Sequence, residues 1–260
     1  MTTSTHALLR ERRADVEILT LNRPEVANAV NPQMVQEMTV ALDELEADPG
    51  LRVIILTGKG ERAFCSGLDL KSFGTFEPKS IGARAGGFAG FARRDVAVPV
   101  IAAVNGAAVA GGFELVLACD LVVAAEHAFF GIPEAKRGLI AAGGGLVRLP
   151  ERVPRACATE LALTGEPITS ARAYDLGLVN LVVPGPDLIE AALSLAGKIV
   201  ANAPLSVRHS LKVIRSSAWT SEEDAWALSD AAGEVIFATR DAKEGAVAFA
   251  EHRPASWQGR

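Results

Sequence analysis

Apolar and polar positions alternate near the start of the chain and then recur at helical spacing. Residues 7–13 and 16–21 are predicted to be two strands joined by a short turn. Asn31-Pro32 predicts the start of a helix, because proline favours the first helical position, and the turn residues 48–50 end it. Residues 52–57 are almost continuously apolar, which is typical of a strand buried on both faces. The first part of the chain therefore has a β-β-α-β pattern.

The pattern changes twice further along. Residues 71–95 combine five glycines with four phenylalanines and are predicted to form a mobile segment with some helix. More strands are predicted at 98–104, 121–125, 129–131 and 178–183, with helices at about 112–118 and within 145–176. The remaining pattern is only helical, at 187–202, 204–217, 221–238 and 241–251. We expect an α/β core over residues 1–186, followed by an all-helical region over 187–260.

Composition argues against several classes of protein. The chain has 260 residues and a formal net charge of −5, so it offers no electrostatic reason to bind nucleic acid or an anionic membrane. Its three cysteines stand in apolar surroundings without a Cys-x-x-Cys pair, which argues against a disulfide framework and a metal site. The first residues lack the apolar segment of a signal peptide, and no apolar run reaches membrane-spanning length. We expect a soluble, cytoplasmic protein.

Two short motifs carry the candidate chemistry. The first, FCSGLDL at 64–70, places a glycine turn after an apolar strand and presents the backbone amide of Leu68. The second, NGAAVAGGFELVLACD at 105–120, puts Gly111 at the predicted start of a helix, where free amides and the helix dipole favour negative charge. Taken alone, each turn is equally well explained by a glycine that serves only close packing. Ser66 is not part of a GxSxG elbow and no histidine lies in either motif, so a serine hydrolase is not expected.

Two glutamates follow these turns in the sequence. Glu114 lies in the first turn of the apolar helix, and Glu134 follows Pro133. Either one can be explained as an ordinary acidic residue at a helix start. Paired carboxylates can also move protons next to a carbonyl group whose oxygen is held by backbone amides. The spacing alone does not show that the two glutamates meet.

Several of these motifs, in this order, resemble the crotonase family, also called the enoyl-CoA hydratase/isomerase superfamily. The resemblance covers nearly the whole chain, at residues 21–30, 52–70, 99–139, 163–183 and 244–253. It implies a spiral of ββα turns with an acyl-CoA site in residues 1–186. It also implies that residues 187–260 form a helical trimerisation region, within a homotrimer or homohexamer.

The resemblance also implies a role for each motif. The backbone amides of Leu68 and Gly111 would form an oxyanion hole for a thioester carbonyl. Glu114 and Glu134 match the two glutamates of the hydratases, of which one holds and activates water and the other exchanges a proton at Cα. Further substrate contacts are implied at Ala27, Ala29, Ala63, Ser66, Asp69 and Leu70. Coenzyme A is part of the substrate, and neither a separate cofactor nor a metal is implied.

The function that the resemblance implies is an enoyl-CoA hydratase-type lyase. A carnitinyl-CoA dehydratase-like activity and a double-bond isomerase in the same fold are alternatives. From other classes, some relatives bind RNA, against which the acidity of this chain argues, and a noncatalytic scaffold is a further alternative. The chain departs from the usual family pattern at Ala141-Ala142, where Pro-Gly is common, and at His252, where a lysine near the CoA phosphates is common.

Overall fold

The computed structural model describes residues 6–69 and 86–260. Its strands are β1 (Leu8–Arg13), β2 (Val16–Leu21), β3 (Val53–Gly58), β4 (Ala63–Cys65), β5 (Val100–Val104), β6 (Ala107–Val109), β7 (Leu121–Ala125), β8 (Phe129–Gly131), β9 (Ile168–Thr169) and β10 (Leu181–Val183). Its α-helices are α1 (Pro32–Glu46), α2 (Gly111–Ala118), α3 (Gly145–Arg152), α4 (Arg155–Thr164), α5 (Ser170–Asp175), α6 (Leu188–Val200), α7 (Pro204–Ser217), α8 (Glu222–Phe237) and α9 (Arg240–Ala250). Short 3-10 turns lie at Pro24–Val26, Phe88–Gly90, Pro133–Arg137 and Gly185–Asp187.

The strands form two sheets, and the chain passes from one sheet to the other in each turn of a spiral. The first sheet has the order β1-β2-β3-β5-β7-β10, and the second has the order β4-β6-β8-β9. After the antiparallel pair β1–β2, every pair in the first sheet is parallel. Strands β3, β5 and β7 of the first sheet are each followed by a partner in the second, namely β4, β6 and β8. This repetition confirms the ββα spiral.

Buried strand residues divide between two apolar clusters on opposite faces of the first sheet. On β3, Ile54 and Leu56 pack into the larger cluster, between the sheet and helices α1 and α2. Val53 and Ile55 face the other way, toward the small side chains of α6, which include Ala192. The alternation follows from the two-residue period of a strand. Covering both faces explains why β3 reads as a continuous apolar run.

Most long elements match the sequence prediction, as do the short strand β8 and helix α2, whereas other short strands were missed. Helix α1 begins at Pro32, where the side chain of Asn31 accepts a hydrogen bond from the Met34 amide at 2.9 Å. The predicted helical stretch 145–176 is three helices, and β10 begins at Leu181 rather than at residue 178. Strands β4, β6 and β9 were not predicted, because two or three residues are too few to show a period. Residues 71–85 of the predicted mobile segment lie outside the described residues.

The C-terminal helices α7, α8 and α9 present large apolar side chains to solvent. Exposed examples are Ile214, Trp219, Trp226, Val235, Phe237, Val247 and Phe249. Arg215 of α7 attaches this region to the core through a two-pronged ion pair with Asp120, both contacts being 2.8 Å. The third tryptophan, Trp257, donates to the carbonyl of Ala201 at 2.8 Å. Helix α6 follows residue 187 but packs on the first sheet, so its packing does not mark a domain boundary there. The predicted division between residues 1–186 and 187–260 stays a prediction.

No single helix in the described ranges is long and apolar enough to cross a membrane. The stretches Gly185–Val200 and Pro204–Ser217 reach the required length and apolarity only together, across a bend of 106°.

Candidate active site

Three neighbouring strands of the second sheet deliver the predicted site residues to one edge. Strands β4, β6 and β8 are parallel and adjacent, so their carboxyl ends lie side by side. The turn after β4 carries Leu68, the turn after β6 carries Gly111, and the segment after β8 carries Glu134. In parallel sheets this edge is where ligands commonly bind. Residues far apart in the sequence therefore meet because of strand pairing.

The turns that hold Leu68 and Gly111 touch each other. Gly67 has a φ of +92°, and a methyl group placed on it would lie 2.9 Å from the Gly111 nitrogen. Within the described ranges, neither the Leu68 amide nor the Gly111 amide donates a hydrogen bond. Helix α2 begins at Gly111, so the positive end of its dipole adds to this amide. The two amides are thus close together and available to an anionic oxygen.

Tight packing fixes the Gly111 turn. A methyl group on Gly112 would lie 2.5 Å from the carbonyl carbon of Cys65, so no side chain fits there. The Ala110 amide donates to the carbonyl of Gly131 at 2.9 Å, which joins the end of β6 to the end of β8. Ala110 itself has φ 51° and ψ −130°, a conformation that costs about 1–3 kcal/mol for a residue with a side chain. Strain of this kind is held in place only by well-packed surroundings.

A second segment frames the Leu68 turn. The amide of Val30 donates to the carbonyl of Gly67 at 2.8 Å, and the Ser66 amide donates to the carbonyl of Ala27 at 3.0 Å. Ala27, Ala29 and Ser66, predicted to contact substrate, therefore lie together beside Leu68. Their contacts with substrate stay predictions, and Leu70 lies outside the described residues.

Asp69 and Ala63 make different kinds of contact beside the Leu68 turn. The Asp69 carboxylate pairs with the guanidinium of Arg23 at 2.9 Å, and Arg23 also donates to the carbonyl of Ala29 at 2.7 Å. The Ala63 carbonyl accepts from two buried asparagines, Asn28 at 2.8 Å and Asn105 at 3.1 Å. Both asparagines were missed as site residues. In the sequence, each is a polar residue within an otherwise apolar motif. That pattern does not distinguish an asparagine in a turn from a buried asparagine that holds a distant carbonyl group.

Glu114 is almost fully buried at the start of α2. Its Oε1 accepts from the Gly145 amide at 2.9 Å, and a methyl group on Gly143 would lie 2.9 Å from its carboxyl carbon. Burial raises the pKa of Glu114, while the amides of residues 143–145 and the charge of Arg148 act in the opposite direction. The glycine run after Ala142 thus forms a cradle for this carboxylate.

Glu134 has fewer partners among the described residues. Its Oε2 is buried and accepts no hydrogen bond from them. Burial raises the pKa of Glu134, and the negative charge of Glu114 raises it further, whereas its own backbone amide and Arg137 lower it. The structure therefore places both glutamates in one electrostatic environment, as a site for proton transfer requires.

Two cavities among the described residues lie away from the candidate site. One of about 740 Å³ separates α7 from the core and is lined by Leu117, Ile214 and Trp219. Another of about 460 Å³ is lined by Lys59 and His127. Neither is lined by a candidate glutamate. In the part of the chain that the structure describes, no three His, Cys, Asp or Glu side chains are grouped to hold a metal ion.

Comparison with known proteins gives this arrangement a family. A family model described as enoyl-CoA hydratase/isomerase matches residues 11–260. The chain belongs to the enoyl-CoA hydratase/isomerase family. Among family members, enoyl-CoA hydratase EchA19 of Mycobacterium tuberculosis is 41% identical over 263 residues, covering 97% of this chain and 96% of the relative. The carnitinyl-CoA dehydratase of Proteus mirabilis is 40% identical over 258 residues, covering 97% and 98%.

Solved structures of the enoyl-CoA hydratase/isomerase family share the fold. An enoyl-CoA hydratase from Mycobacterium tuberculosis H37Rv superposes with a TM-score of 0.92 at 47% identity, covering 98% of this chain and 99% of that one. A carnitinyl-CoA hydratase from Mycobacterium avium gives a TM-score of 0.78 at 42% identity, covering 99% and 100%. These agreements confirm the predicted family and fold class.

The two departures from the family pattern have different surroundings. Ala141 is buried, and a methyl group on Gly145 would lie 3.0 Å from its Cβ, so it packs against the glycine cradle of Glu114. His252 is exposed at the end of α9, with a φ of 54°. The first departure therefore bears on the candidate site, whereas the second lies on the surface.

Proposed function

We propose that the protein is a hydro-lyase that adds water to an α,β-unsaturated acyl-CoA thioester or removes it. One observation carries the proposal. Two unengaged backbone amides, from Leu68 and Gly111, lie at the same sheet edge as two carboxyl groups with raised pKa values, those of Glu114 and Glu134. The amides suit an anionic oxygen, and the carboxyl groups suit proton transfer beside it.

The amides would act on the thioester oxygen. Attack of water at Cβ moves the electron pair of the double bond toward the carbonyl group, so negative charge develops on that oxygen. Leu68 and Gly111 would donate to it as the charge forms, and one such donor is worth about 10²–10³ in rate. The dipole of α2 favours the same charge. These interactions strengthen in the transition state, which is why they accelerate the reaction.

The glutamates would divide the proton transfers. Glu114 is held by the glycine amides and by the charge of Arg148, both of which favour its ionised form. It would take a proton from water as the new C–O bond forms at Cβ. Glu134, whose Oε2 accepts no hydrogen bond from the described residues and whose pKa is raised by burial and by the charge of Glu114, would deliver a proton to Cα. Dehydration reverses both steps, and protons and electrons balance in either direction.

A carnitinyl-CoA dehydratase activity is the second candidate. It is favoured by relatives with that name at about 40% identity over nearly the full chain. The same amides and glutamates would serve it, since loss of water from a 3-hydroxyacyl thioester is the reverse of hydration. The two candidates differ in the acyl group rather than in the chemistry.

We also propose a homotrimer or homohexamer. The exposed apolar side chains on α7, α8 and α9, such as Trp226, Phe237 and Phe249, support it. A group of large apolar residues in contact with water commonly marks an interface. A reducing, cytoplasmic setting is consistent with the three free thiols, Cys65, Cys119 and Cys157.

A panel of acyl-CoA substrates tests the proposed function. Straight-chain 2-enoyl-CoA thioesters of increasing length and 3-hydroxyacyl-CoA thioesters, including a carnitinyl thioester, are followed by the absorbance of the conjugated thioester. We expect loss of absorbance with the first group and its appearance with the second. An enzyme that leaves every member unchanged would disprove the proposal.

A further inference from the structure

The side chain of Phe88 lies across the candidate site. A methyl group on Gly111 would overlap Phe88 Cζ and lie 2.6 Å from Cε1, so the ring packs directly on the Gly111 backbone. At its other end, the Cβ of Phe88 lies 3.2 Å from a methyl group placed on Gly143. Gly143 is also the residue whose methyl group would overlap the Glu114 carboxylate. Phe88 therefore extends from Gly111 to the glycine cradle of Glu114.

The backbone around Phe88 is held in an uncommon conformation. Gly86 and Gly90 have φ values of +104° and +70°, and Ala89 between them is buried with a φ of 57°. A methyl group on Gly90 would overlap Thr39 of helix α1. Because the turn is packed this closely, the surrounding fold fixes the position of the aromatic ring. A partly exposed phenylalanine in such a turn has a defined position over the site.

The same turn is tied to the Glu114 cradle. Arg148, on the helix that begins with the cradle glycines, donates to the carbonyl of Ala92 at 2.6 Å. Arg94, at the end of the turn, pairs with Glu46 of α1 at 2.6 Å. The turn therefore cannot move far without breaking a hydrogen bond on one side and an ion pair on the other.

We propose that Phe88 is a specificity-determining residue whose ring limits the bulk of the acyl group beside the reacting carbons. This inference rests on the proposed function. A thioester oxygen at Gly111 and a reacting carbon at the glutamates would place the Cα–Cβ bond alongside this ring. A flat ring tolerates a planar, unbranched enoyl group and overlaps substituents on Cα or Cβ. Removing the ring should admit branched acyl groups.

The test compares three substrates of different bulk in matched variants. The enzyme is assayed with crotonyl-CoA and with its 2-methyl and 3-methyl derivatives, and kcat/KM is measured for each. Phe88→Ala should raise the ratio of branched to unbranched kcat/KM by about tenfold or more, the effect expected for one methyl group in a tight pocket. Phe88→Leu should shift the ratio in the same direction by less.

Phe91 provides the matched control. It lies on the same segment but is buried in the main core, so Phe91→Leu loses packing without opening the site. The proposal is overturned if the ratio stays within about threefold of wild type in folded Phe88 variants. It is also overturned if Phe91→Leu shifts the ratio equally, or if neither Phe88 variant folds.

A separate readout keeps this inference distinct from the proposed function. If the wild type hydrates no enoyl-CoA, the proposed function fails, and binding of saturated butyryl-CoA and its 2-methyl and 3-methyl derivatives is measured by calorimetry. Phe88→Ala should then improve the relative Kd of the branched thioesters by about tenfold. An unchanged order of affinity would overturn the role of Phe88.

Discussion

Asn28 and Asn105 donate to the same carbonyl oxygen, that of Ala63, at 2.8 and 3.1 Å. Asn28 belongs to the segment that pairs with the Leu68 turn, whereas Asn105 precedes β6, which leads to Gly111. The carbonyl at the start of β4 is therefore a common anchor for the backbone on both sides of the candidate oxyanion hole. We infer that these two asparagines fix the positions of the Leu68 and Gly111 amides relative to each other.

Replacement of Asn28 should affect stability and turnover together. Asn28→Ala removes the acceptor for the Arg23 amide and one of the two asparagine donors to the carbonyl of Ala63, and leaving the Arg23 amide unpaired costs about 1–3 kcal/mol. We expect a lower free energy of unfolding in denaturant and a lower kcat. Asn202→Ala, at an exposed position, is the control. Normal turnover in a folded Asn28→Ala variant would contradict the anchoring role.

Loss of the Glu134 carboxylate should slow the reaction with little effect on CoA binding. Glu134→Gln cannot deliver or accept the proton, so kcat should fall by about 10²–10⁴-fold, the usual range for general acid–base catalysis. Glu160→Gln, which removes an exposed partner of Arg172, is the control and should keep normal kcat. Steady-state kinetics and CoA titration measure the two effects. Turnover close to wild type would remove Glu134 from the mechanism.

The same variant should be more stable than wild type at pH values above the folded-state pKa of Glu134. Burial raises the pKa of Glu134 above its ordinary value of 4.5. A carboxyl group with a raised folded-state pKa favours the fold below its unfolded pKa, and this contribution is lost as pH rises through the folded value. Above that value the wild type holds an ionised carboxylate whose Oε2 accepts no hydrogen bond from the described residues, and Glu134→Gln avoids this cost.

Thermal unfolding at several pH values checks this expectation. Glu134→Gln should have the higher Tm on the alkaline side of the Glu134 pKa, and the difference should shrink as pH falls through that pKa toward about pH 4, where the wild-type carboxyl group is protonated. If the variant melts below wild type on the alkaline side, the carboxylate stabilises the fold through a contact of its own.

Adjacent glycines should respond differently to the same substitution. Among the described residues, the nearest atoms to a methyl group on Gly111 belong to the ring of Phe88, a side chain, whereas a methyl group on Gly112 meets the backbone of Cys65. Gly111→Ala should therefore stay folded but lose about 10²–10³ in kcat by crowding the oxyanion position. Gly112→Ala should lose about 1–3 kcal/mol of stability through overpacking.

Melting curves and kinetics on the two variants distinguish these outcomes. Combining Gly111→Ala with Phe88→Ala gives the methyl group room, so any loss that persists is caused by overlap with substrate. Recovery of full activity in the double variant would mean that Gly111 does not face the thioester.

The exposed apolar side chains of the C-terminal helices predict assembly. Phe249 is 83% exposed on α9, and Phe249→Lys should lower the molecular mass measured by light scattering at micromolar concentration. Lys243→Ala on the same helix is the control. The Tm of wild type should rise with protomer concentration if the assembly binds only folded chains. A folded wild-type monomer at these concentrations would refute the prediction.

Local pattern was sufficient for the long elements. Helix α1 has a capping asparagine, a proline start and regular apolar spacing, and β3 is long enough to read as a buried strand. The family and the position of Gly111 at the start of α2 followed from motifs of several residues each. These features depend on neighbours in the sequence, so they can be read from it.

Features that depend on pairing between distant segments could not be read in this way. The proximity of Glu114 and Glu134 results from β6 and β8 lying side by side, and β6 is only three residues long. The convergence of Asn28 and Asn105 on one carbonyl group joins segments that are far apart in the chain. In the sequence, Phe88 does not differ from the other phenylalanines of its segment. Only the fold shows that its ring lies over Gly111.

The positions of the tryptophans give the protein a built-in optical reporter of one region only. All three, Trp219, Trp226 and Trp257, follow residue 187, and the first two are exposed in the isolated chain. Tryptophan fluorescence therefore reports on the C-terminal region and not on the spiral core, which carries the candidate site. Burial of these indoles between subunits would shift the emission to shorter wavelength. Comparing that signal with far-ultraviolet circular dichroism would reveal whether the two regions melt in a single cooperative transition or one after the other.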